Sequence, residues 1–166
     1  MMFYDNSIQS RILAAEFLIA QGTQKKVISQ YCNGIGNLYD SLCAQMPPVE
    51  QKHRYGTHWL RGESCLSATR AVRLIKSIFG TTHIDHALIA SEFVSLCECY
   101  AMKFPNDDSI SPNRMHYLIQ SIRSGEVLVH DSCKCCKKPY VTHRDDAHTA
   151  KCTNCTVSSD ETGLLQ

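Results

Sequence analysis

The spacing of apolar residues predicts helices from the start of the chain to about residue 125. Asn6 or Ser7 can cap a helix running to about Gln21, with Ile8, Ile12, Ala15 and Ile19 on one stripe. Leu13, Phe17 and Ala20 form a second stripe, so this helix is apolar on most sides and deep burial is expected. Gly22 is placed to end it. A short segment from Thr23 to Tyr31 follows, with Lys25 and Lys26 beside Val27 and Ile28, and Cys32-Asn33-Gly34 signals a turn. Ile35, Leu38, Tyr39, Leu42 and Met46 then recur at helical offsets until Pro47-Pro48 stops the pattern. Two short helices around a Gly-containing turn make residues 23–46 helix-turn-helix-like. The second of them carries only Asp40 as a charge.

A second helix pair is expected beyond the prolines. Between Ser64 and Phe79, the residues Ala68, Ala71, Val72, Ile75, Ile78 and Phe79 share one face, with Arg70 and Arg73 opposite and Lys76 at the flank. Gly80 ends that helix. Asp85 can cap the next, running to about Met102 with Leu88, Phe93, Leu96, Cys97 and Tyr100 as core residues. Ser111-Pro112 is a cap followed by proline at the first helical position, opening a helix with Met115, Leu118, Ile119 and Ile122 that Gly125 closes. Val127-Leu128-Val129 and Tyr140-Val141-Thr142 are short β-prone runs. The expected architecture is therefore mainly α: a helical bundle over residues 1–126, a C-terminal four-cysteine zinc-binding segment with short β-strands over 127–157, and a flexible tail over 158–166.

The chemistry is concentrated in that second part. Cys133, Cys136, Cys152 and Cys155 form two C-x-x-C knuckles with 15 residues between them, the spacing of a structural zinc site. Each knuckle presents two thiolates to one metal, and two knuckles complete a tetrahedral all-sulfur shell with no position left for substrate. One Zn2+ per chain is expected. Cys135 lies inside the first knuckle and is not a ligand in this reading. Two disulfides would require an oxidising compartment, which nothing else in the chain indicates. Cys32, Cys43, Cys65, Cys97 and Cys99 read as small buried hydrophobes.

Composition narrows the class. The first residues, MMFYDNSIQS, lack the basic and apolar regions of a signal peptide, and no apolar run is long enough to span a bilayer, so a cytoplasmic protein without membrane contact is expected. The net charge of +1 hides an asymmetry: within residues 51–80, Lys52, Arg54, Arg61, Arg70, Arg73 and Lys76 face only Glu63. Such an excess is the footprint of an anionic partner or a solvated helix face. The expected DNA contacts are Arg70, Arg73 and Lys76, together with Lys134, Lys137, Lys138 and Arg144 of the zinc segment.

The stretch DSCKCCKKPYVTHRDDAHTAKCTNC resembles the zinc segment of the FlhC family, the larger partner in the bacterial flagellar master regulator FlhDC. The likeness lies in the C-x-C-C cluster, the aromatic-β-branched-Thr-His stretch and the closing C-x-x-C. Leu38-Tyr39 ahead of the proline pair and Thr57-His58-Trp59 extend it loosely over residues 6 to about 157. The resemblance implies an α-helical, zinc-binding transcription activator with Cys133, Cys136, Cys152 and Cys155 as ligands. It implies a hetero-oligomer with an FlhD-like protein, containing two copies of this chain, that binds promoter DNA and recruits RNA polymerase. Enteric members continue past the last cysteine into a basic tail, whereas here Asp160 and Glu161 follow. That departure favours the relatives encoded by conjugative plasmids and integrative elements, which activate transfer genes instead of flagellar ones.

Two other functions compete. An enzyme could be built from His53, His58, His83 and His86 with Asp85 or Cys65, but no H-E-x-x-H, G-x-S-x-G, P-loop or G-x-G-x-x-G occurs, so no catalytic activity is expected. A zinc-stabilised protein–protein adaptor is the stronger rival. In the zinc segment Lys134, Lys137, Lys138, Arg144 and Lys151 oppose Asp131, Asp145 and Asp146, and zinc with four thiolates brings the formal charge to zero. The two are separated by whether Arg70, Arg73 and the zinc-segment lysines face one surface.

Overall fold

A computed structural model of the chain describes residues 6–51, 58–60, 64–84, 86–146 and 152–155. It is mainly helical, in the order α1 (Ile8–Ala20), α2 (Lys25–Tyr31), α3 (Gly36–Gln45), α4 (Ser64–Phe79), α5 (Ala90–Lys103) and α6 (Pro112–Arg123). Two strands follow, β1 (Val127–His130) and β2 (Tyr140–His143), paired antiparallel with Val129 opposite Val141. No described helix is long and apolar enough to cross a membrane.

Local chemistry sets most of the helix ends. The Ser7 hydroxyl accepts from the Ser10 N–H at 3.2 Å and caps α1. At the other end Gly22, with φ +66, lets the Thr23 N–H reach back to the Leu18 carbonyl and its own N–H to Ile19. Gly125 (φ +74) repeats this after α6, where Glu126 N–H bonds to Ser121 and Gly125 N–H to Ile122. Ser111 receives the Arg114 N–H at 3.4 Å ahead of Pro112. The helix expected from Asp85 begins instead at Ala90, because Ile89 is still extended and its N–H donates to the Glu92 carboxylate at 3.0 Å. Asp85 itself lies outside the described residues.

The chain gathers into two compact units, Met1–Tyr55 with His86–His116, and Gly56–Asp85 with Tyr117–Gln166. The division runs through α6, so that α4 and the end of α6 fall with the cysteine segment. Two four-residue strands bury too little to stand alone and need a helix to pack on.

In the first unit α1 packs on α5 and touches α2 and α3. Only Ala14, Ala15 and Leu18 of α1 are buried, while Leu13 is 59% exposed and Ile8 47%. The two apolar stripes therefore do not mean all-round burial; the inward face runs between them. Tyr31 of α2 stacks on Phe93 of α5 with ring centroids 3.8 Å apart, and its hydroxyl lies 3.0 Å from His116 Nδ1. The turn joining α2 to α3 is pinned by Arg11, whose Nη1 donates to the carbonyl and side-chain oxygens of Asn33 at 2.6 and 2.9 Å. Lys25 ties α2 to Asp40 of α3 at 3.1 Å. None of α3's residues is buried, and Leu38 is 44% exposed. Both short helices of the expected pair form, and the second carries its apolar face largely uncovered.

In the second unit Ala68, Ala71, Val72 and Ile75 of α4 are buried, as are Leu118, Ile119 and Ile122 of α6. Arg123 Nε donates to the Ile84 carbonyl at 2.8 Å and secures the segment after α4. Here α4 has a second packed side, against β2.

Candidate metal centre

The first knuckle is a tight turn. The Cys133 N–H donates to the Lys138 carbonyl at 2.9 Å and the Lys137 N–H to the Cys133 carbonyl at 3.0 Å. Lys137 closes it with φ 58, a left-handed backbone that costs a non-glycine residue about 1 kcal/mol. Inside the turn the Cys135 N–H points at Cys133 Sγ, 3.4 Å away. The second knuckle, Cys152 to Cys155, begins where the Cys152 N–H donates to the same sulfur at 3.2 Å. The two knuckles thus converge through backbone donors as well as through sulfur.

All four Sγ atoms, of Cys133, Cys136, Cys152 and Cys155, lie within 4.8 Å of one another. A tetrahedral metal with thiolates at about 2.3 Å separates its sulfurs by about 3.8 Å. Cys136 and Cys152 are 3.7 Å apart, so that edge already has the required length. The residues fit a metal ion, and the set of soft sulfur donors selects a thiophilic one. Cys133 and Cys152 are fully buried with Tyr140, which stacks on His130 at 4.5 Å. Cys135 is exposed and outside the group, as its place in the knuckle predicts.

Charge in the cluster is uneven. Burial raises the Cys133 thiol, but N–H groups of Cys152, Cys136 and Cys135 outweigh it and bring the group down to about 6. The Lys138 N–H lowers Cys136. Cys155 is pushed up, chiefly by its hydrogen bond to the Cys152 sulfur. A bound cation would take the place of the protons between these sulfurs with one compact positive charge.

The hairpin sits on α4 through a polar seam that the sequence pattern did not reveal. Cys65 Sγ donates to the Val141 carbonyl at 3.0 Å, and the Val141 N–H donates to Thr69 Oγ1 at 3.3 Å. Both backbone groups of Val141 belong to the edge of β2 turned away from β1, so α4 side chains stand in for a missing third strand. Arg73, one turn further on, donates from Nε to the Pro139 carbonyl at 2.8 Å. Its Nη2 lies 3.5 Å from Cys136 Sγ and 3.6 Å from Cys152 Sγ. The guanidinium that the sequence offered to a phosphate thus faces the sulfurs of Cys136 and Cys152. The available signal was the spacing: 65, 69 and 73 fall at i, i+4 and i+8, and place three hydrogen-bonding side chains on one face.

The other expected DNA contacts are also in the second unit. Lys76, Lys134, Lys137, Lys138 and Arg144 are exposed and Arg70 is half-buried. Lys52, Arg54, Arg61, Glu63 and Lys151 lie outside the described residues, as do His53, Thr57 and the 158–166 tail. Of the candidate catalytic histidines, His83 is exposed with Nδ1 3.2 Å from Thr82 Oγ1, and His86 lies 3.7 Å from Glu92. Cys65 is spent on the seam. Among the described residues no second group of three or more His, Cys, Asp or Glu side chains converges. Cys32, Cys65 and Cys97 are buried as expected, whereas Cys43 and Cys99 are only half-buried because they stand at the flanks of α3 and α5.

No family model matches the chain, and no curated protein matches it.

Proposed function

We propose that this chain is the DNA-binding subunit of a heteromeric transcription activator of the FlhDC type, stabilised by one zinc ion on Cys133, Cys136, Cys152 and Cys155. The observation that carries the reading is the seating of α4 on the cysteine segment. Arg73 reaches the sulfurs, and Arg70 and Lys76 stand three residues to either side of it on the helix, where side chains are neighbours. Their stripe therefore borders the knuckle that carries Lys134, Lys137 and Lys138. A row of cations beside a metal-stiffened hairpin suits the phosphate backbone. Zinc is the metal because four thiolates in a closed tetrahedron favour it and no open position serves catalysis.

One copy of the chain has little with which to read a sequence. The net charge is +1 and α3 offers only Asp40 as a charged side chain, so base contacts are few. The active form is a complex with a smaller FlhD-like protein, containing two copies of this chain, that recruits RNA polymerase to promoters of conjugative-transfer or flagellar genes. The exposed Leu13 of α1 and Leu38 of α3 offer the partner an apolar surface. The uncovered α3 also favours a second reading, a zinc-stabilised adaptor that binds protein and not DNA. Gel shifts and light scattering on the chain alone and on the co-expressed pair distinguish these. Specific promoter binding by the pair alone supports the proposal. A stable pair without DNA affinity selects the adaptor, and tight specific binding by the isolated chain refutes the need for a partner.

A further inference from the structure

We infer that Arg73 is the outer donor of the metal centre: a positioning residue that hydrogen-bonds the Cys136–Cys152 edge and couples the metal to α4. The inference rests on the four cysteines holding a metal, and is independent of whether the chain binds DNA. A metal dication with four thiolates carries a formal charge of minus two. Such a charge in a partly buried site needs donors aimed at sulfur. Cys133 has backbone N–H groups, those of Cys135 and Cys152 among them. Across the cluster, the donor aimed at both Cys136 and Cys152 is Arg73 Nη2, at 3.5 and 3.6 Å.

The rest of the side chain explains why arginine stands here. Its Nε holds the Pro139 carbonyl at 2.8 Å, immediately before β2. One rigid fork therefore fixes the strand and faces two sulfurs at the same time, which a lysine ammonium on a flexible stem cannot do. Arg73 extends the seam of Cys65 and Thr69 along α4, and it is the member of that seam that reaches the metal shell. Whether the cluster holds a metal or protons is thereby felt directly by the helix.

The test uses the full chain as wild type, Arg73→Gln and Arg73→Lys. Each is titrated with Co2+ under reducing, anaerobic conditions, followed by displacement with Zn2+. Donors to a thiolate lower the energy of its lone pairs, so losing one moves the sulfur-to-cobalt charge-transfer band to longer wavelength. Arg73→Gln is expected to weaken zinc binding about 10- to 100-fold and to shift that band. Arg73→Lys restores part of the affinity through its charge but keeps the shifted band. Should the Gln variant fail to fold, the Lys variant alone decides by its band. A band at the wild-type position in either variant overturns the inference, even with weakened affinity, because a merely structural role leaves the sulfurs untouched. A wild-type chain that takes up neither ion overturns the metal reading itself, and the inference with it.

Discussion

Replacing Cys136 by serine tests how much of the second unit the metal holds together. Without a metal, the hairpin is retained by its seam to α4: the Cys65–Val141, Thr69–Val141 and Arg73–Pro139 hydrogen bonds. At about 1 kcal/mol each, these contribute roughly 3 kcal/mol. The small core of Cys133, Tyr140 and Cys152 adds little, since its own sulfurs are the ligands. A structural zinc contributes on the order of 10–16 kcal/mol in comparable small modules. The metal term exceeds the seam several-fold, so Cys136→Ser should release the ion and loosen residues 127–155 while α1, α2 and α5 remain folded. Metal analysis of the purified protein and amide exchange resolved by segment are the assays. Cys135→Ser provides the contrast, because Cys135 is exposed and its sulfur lies outside the group of four. Retained metal in Cys136→Ser together with loss in Cys135→Ser would refute the ligand assignment.

Other outcomes follow from the same geometry. Thr69→Val leaves the buried Val141 N–H without its acceptor and should cost about 1–3 kcal/mol in a thermal melt; an unchanged melting temperature would show that the seam is dispensable. Metal affinity should fall as the pH drops, and more steeply below about 6, where Cys133 regains its proton and the metal must displace one more; chelator competition between pH about 8 and about 5 would contradict this by giving a flat profile. In the co-expressed complex, Arg70→Ala and Lys76→Ala should each flatten the salt dependence of promoter binding by about 0.9 in log–log slope without altering metal content. Leu13→Asp, on an exposed side chain, should change the isolated chain's stability by no more than about 0.5 kcal/mol yet weaken co-purification with the partner; equal recovery of the pair would place the interface elsewhere.

Features with a local cause could be read from the sequence. Gly22 and Gly125 end their helices because a left-handed residue is needed there, and Ser7 and Ser111 begin theirs by accepting a nearby N–H. The four cysteines announce themselves because each knuckle is a turn only a few residues long. Features decided by distant packing could not be read in this way. Nothing near Arg73 in sequence says that the far side of α4 carries a hairpin 66 residues away, so a cation opposite an apolar stripe read as solvent-facing. In α1 the stripes were visible, but which side met α5 depended on partners elsewhere in the chain, and Leu18 turned inward while Leu13 did not. The seating of α4 on β2 was hidden for the same reason: it is a contact between distant segments, not a composition change along the chain.

Promoter binding, measured against metal and partner together, is the most direct test of the proposed function. Fluorescence anisotropy on a labelled promoter duplex, with the chain and a co-expressed smaller FlhD-like protein, is read before chelation, after it, and after Zn2+ is restored. The prediction is specific binding by the loaded pair, its loss when the metal is stripped from Cys133, Cys136, Cys152 and Cys155, and its return with Zn2+. Unchanged sequence-specific binding by the chain alone in the presence of chelator would contradict it.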